Sequence, residues 1–458
     1  MENDKEFLQK EPLGKLLFKL ALPTVTAQLI NMLYNIVDRI YIGHMPGDGA
    51  LALTGVGVCL PLILIVSAFA AFVGAGGAPR ASIYMGRKEY ENAEKTLGNS
   101  FTMQIIISIV LTVVLLIWND DLLIAFGASE NTISYATSYM DIYALGTIFV
   151  EITLGMNYFI TAQGFAKTGM ISVVIGALSN IILDPVFIFG FDMGVKGAAL
   201  ATVISQGLSA IWVLAFLFGK KTFLRIKRSA MKLDKRIILP ALSLGAATFV
   251  MQASESVINI CFNSSLLKYG GDIAVGAMTI LSSVMQFAML PLQGLGQGAQ
   301  PILSYNYGAG DRKRVKSAFF LLLEVCLAYS FILWLSVMLF PMAFAHMFTS
   351  DGALIDYASR ALRIYMAVSV LFGIQMSCQM TFTSLGNARS SMIVAIMRKF
   401  VLLIPLMYIL PMLFRENQAI SVFLAEPVAD FIAVSFTSVL FFFEFRKSLK
   451  KMDVKGNV

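Results

Sequence analysis

A chain of 458 residues could form two or three soluble domains, yet 57% of it is apolar, only 14% is charged and the mean hydropathy is +0.76. A soluble domain carries about a quarter charged residues, so this composition excludes an ordinary soluble enzyme or binding module and points to a polytopic membrane protein. The net charge of +7 does not mark a nucleic-acid binder, because the basic residues are spread over short alternate loops instead of forming one patch.

Twelve apolar runs follow in chain order, at 14–43, 51–78, 96–118, 132–163, 168–190, 197–219, 237–267, 273–306, 316–344, 357–385, 390–411 and 419–444. Each approaches or exceeds the roughly 20 residues that a helix needs to cross a bilayer. The longer runs imply tilt, kinks or short extensions. Barrel strands are about ten residues long and alternate in polarity, and these runs do neither. The N-terminus, alternate loops and the C-terminus hold twenty-six lysines and arginines, whereas the opposite loops hold only Lys196, Lys268, Arg360, Arg363 and Arg415. Lysine and arginine favour the cytoplasmic side, so both termini are expected inside and the number of spans even. Residues 1–13 mix acids and bases and show no cleavable leader.

A charged group at the centre of a spanning helix costs about 2.5–3.5 kcal/mol on insertion scales, so its presence needs a reason. The first run carries Gln28, Asn31, Asn35 and Asp38 at spacings of three, four and three, with Tyr34 at the border. These residues share one helix face and predict a polar seam along a cavity. An ion pair with Arg39 is the competing reading of Asp38, but adjacent helical residues point about 100° apart. Glu151 lies mid-span in the fourth run. In the fifth, Asn180 and Asp184 share a face just before Pro185. A carboxylate, an amide oxygen and carbonyls freed by proline are hard oxygen donors suited to Na+ or to proton uptake. The other reading of Asp184 is an interfacial residue near the helix end.

The longest polar stretch between runs, 220–236, is basic and reads as a cytoplasmic linker between two six-helix halves, 1–225 and 226–458. The seventh run shows a second seam of Gln252, Glu255, Ser256, Asn259 and Asn263. A satisfied interhelical hydrogen bond is the alternative role for Glu255. Glu324 reads as structural. Arg398 and Lys399, placed at the start of the eleventh run, are expected to snorkel to the cytoplasmic face. Glu426 and Asp430 lie four apart in the twelfth, with Pro427 between them.

The halves repeat one another. A shift of 222 aligns Gly74 with Gly296, Gly76 with Gly298, Pro79 with Pro301, Gly86 with Gly308, Tyr143 with Tyr365 and Gly164 with Gly386. A shift of 217 aligns Pro23 with Pro240, Asn35 with Gln252 and Asp38 with Glu255, which implies five extra residues around Asn263–Asp272. Six helices per half make the repeat parallel, with its axis along the membrane normal, a transporter arrangement that puts a cavity between two lobes and suits alternating access. Flexible methionines, of which there are 25, suit an adaptable apolar pocket. There is no Walker A sequence, no credible zinc site and no histidine-based triad, since His44 and His346 are the only histidines. Cys59, Cys261, Cys326 and Cys378 all fall in apolar runs and form no disulfide or metal pattern.

The segments Asp38-Arg-Ile-Tyr-Ile-Gly43, Gly86-Arg87-Lys88, Ser304-Tyr-Asn-Tyr-Gly308, Asn180 to Pro185 and Gly197-Ala-Ala-Leu-Ala-Thr202 resemble the multidrug and toxic compound extrusion (MATE) family, in its bacterial MepA-like branch. The resemblance spans nearly the whole chain. It implies an all-α membrane protein of twelve helices in two six-helix lobes arranged as a V, and export of amphipathic, often cationic drugs driven by inward H+ or Na+. It implies no enzyme activity, no cofactor beyond the coupling ion, a multi-pass place in the bacterial inner membrane, monomeric action and a part in antibiotic resistance. Carried over residue by residue, it assigns the proton or Na+ site to Asp38, Asn180, Asp184 and Thr202. The substrate cavity then falls to Gln28, Asn31, Tyr34, Asn35, Glu151, Gln252, Glu255 and Asn259, with Pro23 as the hinge of the first helix. Where other branches carry an acid on helix ten, this chain has only Gln375 and Gln379, which favours the first-half site. The alternatives are a lipid-linked saccharide flippase, expected to have a strongly cationic cavity, and, further off, a polytopic membrane enzyme.

Overall fold

The protein, in a computed structural model, is described over residues 6–455 apart from Pro46 and Asp48, with the side chains of 453–455 excluded. Lys5, one of the lysines counted among the inner loops, lies outside these residues. The described residues are helical, with short turns and no strands. Apolar runs this long favour helices because only a helix satisfies every backbone donor and acceptor internally in hydrocarbon.

Six helices make the first half. They are α1 (Leu13–Gly43), α2 (Gly49–Gly86), α3 (Tyr90–Ile117), α4 (Ile133–Leu145 continued by Thr147–Ala162), α5 (Ala166–Pro185, with a π-helical turn Val186–Gly190) and α6 (Val195–Phe218). The chain then runs into a 74-residue helix, Lys235–Gly308. At 1.5 Å per residue such a rod would be about 110 Å long, more than three hydrocarbon thicknesses. Gly271 breaks it, with φ 67° and ψ −163°, a conformation barred to residues with a Cβ. The arms are α7 (235–270) and α8 (272–308). The second half continues with α9 (Arg312–Leu339), α10 (Gly352–Tyr365 and Phe372–Ser384), α11 (Ala388–Ile396, the π-helical Met397–Leu403 and Ile404–Leu413) and α12 (Gln418–Lys455). Among the described residues nine helices are long and apolar enough to cross a membrane, or eleven when the bent α4 and α10 each count as one span. The twelve-span reading depends on counting the arms of the broken helix separately.

The repeat read from the sequence is visible in the backbone. Helix α4 bends by 58° at Gly146 and α10 by 48° around Val368, which are related by the 222 shift. The short helices Asn119–Ala125 and Pro341–His346 also correspond. Lys88 and Gly310 share a positive φ, as do Gly164 and Gly386.

The halves meet at the ends nearest the 220–236 stretch, here called the basic side. Helix α2 packs along α7 and α8, and α1 lies between α5 and α8. A Cβ on Gly86 would fall 2.0 Å from the Tyr305 carbonyl oxygen, and one on Gly308 2.0 Å from that of Ile83. These contacts are reciprocal under the 222 shift, as expected of a two-fold-related interface. The basic stretch is fastened to the first half. Asn99 of α3 donates to the carbonyls of Ala230 and Lys232, both at 3.1 Å, and accepts from the Asp234 amide at 2.7 Å. Gln163 Oε1 accepts from Thr222 Oγ1 and from the Leu224 amide.

Candidate functional site

The polar seams lie on faces that packing leaves open. In α1, Phe18, Leu22, Leu29, Leu33, Ile36 and Ile40 form an exposed apolar stripe suited to lipid. Gln28, Asn31, Tyr34 and Asp38 are half-buried on the other side, and Asn35 is exposed. In α7, Glu255, Asn259 and Asn263 are exposed beside half-buried Gln252 and Ser256. Exposed amides and carboxylates inside apolar helices are tolerable where they line water, so both seams present faces of the kind that line a water-filled cleft. Toward the basic side this cleft closes. Gln28 donates to Gln297 Oε1 at 3.2 Å, and Thr24 Oγ1 donates to the Gly294 carbonyl at 2.6 Å. Asn35 spends its donor locally, on the Asn31 carbonyl at 2.7 Å.

In the first half, α1, α5 and α6 bring the expected residues together. The Asp38 and Asp184 carboxyl groups lie against each other. Arg39 points outward, so the intrahelical ion pair does not form. Asn180 Nδ2 donates to Asp184 Oδ1 at 3.2 Å and to Thr202 Oγ1 at 3.4 Å. Asp184 and Asn180 are essentially inaccessible. Three oxygens here, Asp38 Oδ1, Asn180 Oδ1 and Asp184 Oδ2, are buried without a protein partner. Buried acceptors are normally paired, so three unpartnered oxygens in one place have capacity for a further partner. The four donors are hard oxygens in a partly negative setting and fit a proton shared between carboxyls or a monovalent cation such as Na+. Tyr34 lies against Gln206, and Tyr139 lies beside Thr202, within electrostatic reach of Asp38. The sequence reading omitted Tyr139 and Gln206. Their signal was spacing: Gln206 follows Thr202 by four on α6, and Tyr139 precedes Tyr143 by four on α4.

Glu151 is not brought to this site. It is wholly buried in α4, and neither carboxyl oxygen has a partner among the described residues. The sequence places it among the cavity-lining residues, and the structure shows it enclosed instead of exposed on either seam. Pro23 lies inside a continuous α1.

The second half holds a cluster that the sequence reading missed. Lys399 Nζ donates to Glu255 Oε1 at 2.8 Å. Arg398 donates through Nε to Asp430 Oδ1 at 2.6 Å and through a terminal nitrogen to Glu426 Oε1 at 3.2 Å. Its guanidinium also lies over the Phe372 ring. The expectation that Arg398 and Lys399 snorkel to the cytoplasmic face is wrong. Helix α11 starts at Ala388, so these residues sit ten or more positions in, roughly 15 Å along the axis from its first residue. Neither side chain spans that distance: Arg398 takes two buried carboxylates, and Lys399 takes the half-accessible Glu255. Gln379 is occupied by Ser391, whose Oγ accepts at 2.7 Å.

Comparison with known proteins agrees with this fold. The family model described as MatE matches residues 23–186 and 247–409, once in each half. The Multidrug export protein MepA of Staphylococcus haemolyticus (strain JCSC1435) is 26% identical over 430 residues, covering 93% of this chain and 94% of that protein. The protein of the same name from Staphylococcus aureus (strain N315) is 26% identical over 431 residues, with the same coverage. Among solved structures, a MATE protein in a bent conformation superposes with a TM-score of 0.91 at 22% identity, over 97% of this chain and 98% of that one. The straight conformation gives 0.90 at 22% identity, over 98% and 99%. An outward-facing multidrug resistance MATE family transporter gives 0.87 at 23% identity, over 95% and 98%. These structural likenesses establish the fold.

Proposed function

The chain belongs to the MatE family, and on that premise we propose that it is a secondary active multidrug exporter, moving amphipathic and cationic organic compounds out of the cell in exchange for H+ or Na+. Its relatives are named as multidrug export proteins, which supports transport over catalysis. We assign residues 1–225 and 226–458 to two lobes that rock about the cleft, with the fastened 220–236 stretch between them. We place the protein in the bacterial cell membrane as a multi-pass monomer, both termini cytoplasmic, and the loop bias of lysine and arginine supports that orientation.

One observation carries the coupling half of this reading: Asp38, Asn180 and Asp184 converge beside Thr202 with three oxygens left unpartnered. A proton or Na+ bound there would neutralise charge that the two carboxyls cannot comfortably share in a low-dielectric site. Asn180 fixes Asp184 through its amide and bridges to Thr202, so α5 and α6 form one wall. Asp38 is the member of the set on α1. A change in its interaction with Asp184 therefore acts on α1, the helix that holds Pro23 and clasps α8 through Gln28 and Thr24. Pro23 removes one backbone bond from α1 and gives that helix its weakest point. The inward movement of one net charge is worth about 2.3 kcal/mol per 100 mV, which sustains a roughly fifty-fold gradient of an uncharged substrate, whereas a monocation exchanged one-for-one moves no net charge and is driven by the ion's concentration gradient alone. The acid-rich lining speaks against a flippase cavity built for anionic lipid-linked sugars.

The test is ethidium efflux from proteoliposomes with Na+ and pH gradients imposed separately. Asp38→Asn and Asp184→Asn should each lower coupled efflux at least a hundred-fold while the purified protein stays folded. Wild-type efflux by Asp38→Asn would remove the coupling assignment.

A further inference from the structure

Five ionisable side chains from three helices of the second half meet in one place: Glu255 of α7, Arg398 and Lys399 of α11, and Glu426 and Asp430 of α12. Three can carry a negative charge and two a positive one. The partners are unequal in kind. Arg398 is held by two carboxylates whose side chains are almost fully buried, and its planar fork fixes that arrangement. Glu255 has only the single, flexible ammonium of Lys399, which is itself buried, while 49% of the Glu255 side chain remains accessible from the cleft. The cluster also contains a buried orphan. Asp430 is 2% exposed, and its Oδ2 has no partner.

We propose that Lys399 is a tethered cation that occupies a monocation subsite at Glu255, and that the positively charged head of a substrate displaces it from there. The excess carboxylate explains why a third cation is welcome, because an unmatched buried charge is costly. The orphan oxygen explains where the displaced ammonium goes. Lys399 already lies within electrostatic reach of Glu426, next to Arg398, and a swing toward Asp430 Oδ2 would give it a carboxylate in place of Glu255. The substrate head would approach from the open face of Glu255, beside Gln252 and Asn259. Lys399 and Arg398 lie within the π-helical turn Met397–Leu403, a departure from α geometry of the kind frequent at functional sites. The returning ammonium would compete with the bound head and so favour release. The ligand class is a lipophilic monocation, a quaternary ammonium or phosphonium, which offers charge without hydrogen-bond donors.

This inference rests on the export reading above. Its test uses the full-length purified protein with tetraphenylphosphonium as the cationic probe and triphenylphosphine oxide as an uncharged counterpart. Lys399→Met should tighten phosphonium binding about tenfold, the effect of deleting a competitor that holds one charge-assisted hydrogen bond, and leave the phosphine oxide Kd unchanged. Lys399→Arg should weaken phosphonium binding several-fold, because a guanidinium fork grips Glu255 harder. Glu255→Gln and the Glu255→Gln/Lys399→Met double variant should be equally poor binders. A Lys399→Met variant with unchanged or weaker phosphonium binding, or with both probes shifted alike, overturns the proposal. If Lys399→Met does not fold, Lys399→Arg decides, and binding equal to wild type overturns it. Absence of binding and export of any organic cation by the wild-type protein would instead sink the export reading.

Discussion

At the scale of single residues, the decisive feature is how buried charges find partners. Asp38 was legible because its three-four-three companions fix the face it occupies, and Asp184 because Asn180 precedes it by one turn. Their mutual contact was not legible, because no spacing along one helix says which helix stands opposite. Arg398 shows the reverse error: eight residues into the run 390–411 it already lies deep for a snorkelling side chain, and spacing along one helix does not say which carboxylates stand opposite it. Its energetics follow from the two carboxylates it holds, at 2.6 and 3.2 Å. Removing one member of a buried ion network strands the others, whereas removing all of them together leaves little uncompensated charge. Arg398→Met should therefore destabilise the protein by about 3–5 kcal/mol. The Arg398→Met/Glu426→Gln/Asp430→Asn triple variant should recover most of that loss in thermal unfolding in detergent. Equal destabilisation of both variants would show that packing of the arginine stem, and not charge pairing, sets the cost.

At the scale of elements, the short N-terminal helix Phe7–Lys10 ties the halves together on the basic side. Leu8 is buried, and its carbonyl accepts from Asn306 Nδ2 at 3.1 Å and from Arg314 Nε at 3.3 Å. Arg314 also donates to the Glu11 carbonyl. Across the gap, Glu6 pairs with Lys88 of the first half at 3.2 Å, and the Phe7 ring covers Gly164. Hydrogen bonds from the Lys10 and Lys88 ammoniums hold the Glu6 carboxyl below the usual carboxylate range. Because the folded-state value is depressed, that contribution is present at neutral pH and is lost only as the pH falls into and below that range. Arg314→Ala removes charge-assisted bonds worth about 1.5–3 kcal/mol. Hydrogen exchange over residues 8–11 should then rise at least tenfold, and unchanged exchange would show that the helix is held by Leu8 and Phe7 alone. None of this clasp was legible beforehand, since a polar-apolar stretch of a dozen residues before the first span carries no periodic signal.

At the scale of the whole molecule, the two halves close against each other through a few glycines. The approach of Gly86 to Tyr305, and of Gly308 to Ile83, leaves no room for a methyl group on either side. Gly86→Val should cost about 1–3 kcal/mol in the closed basic side by overpacking it. The variant should insert and purify normally but lose export, and a cysteine placed at Ile83 should label faster from the basic side. Export at the wild-type rate would show that this seam does not move during the cycle.

The sequence by itself determined the helical class, the apolar spans, the duplication and the two polar seams, because each of these depends on periodicity or on similarity along the chain. The tertiary structure alone decided that Asp38 meets Asp184, that Glu151 is wholly buried, that Lys399 answers Glu255, and that the halves close on the basic side. Those outcomes depend on which helix faces are brought opposite one another. That is settled by packing between segments up to some 300 residues apart, as the Leu8–Asn306 contact shows, and leaves no trace in local spacing.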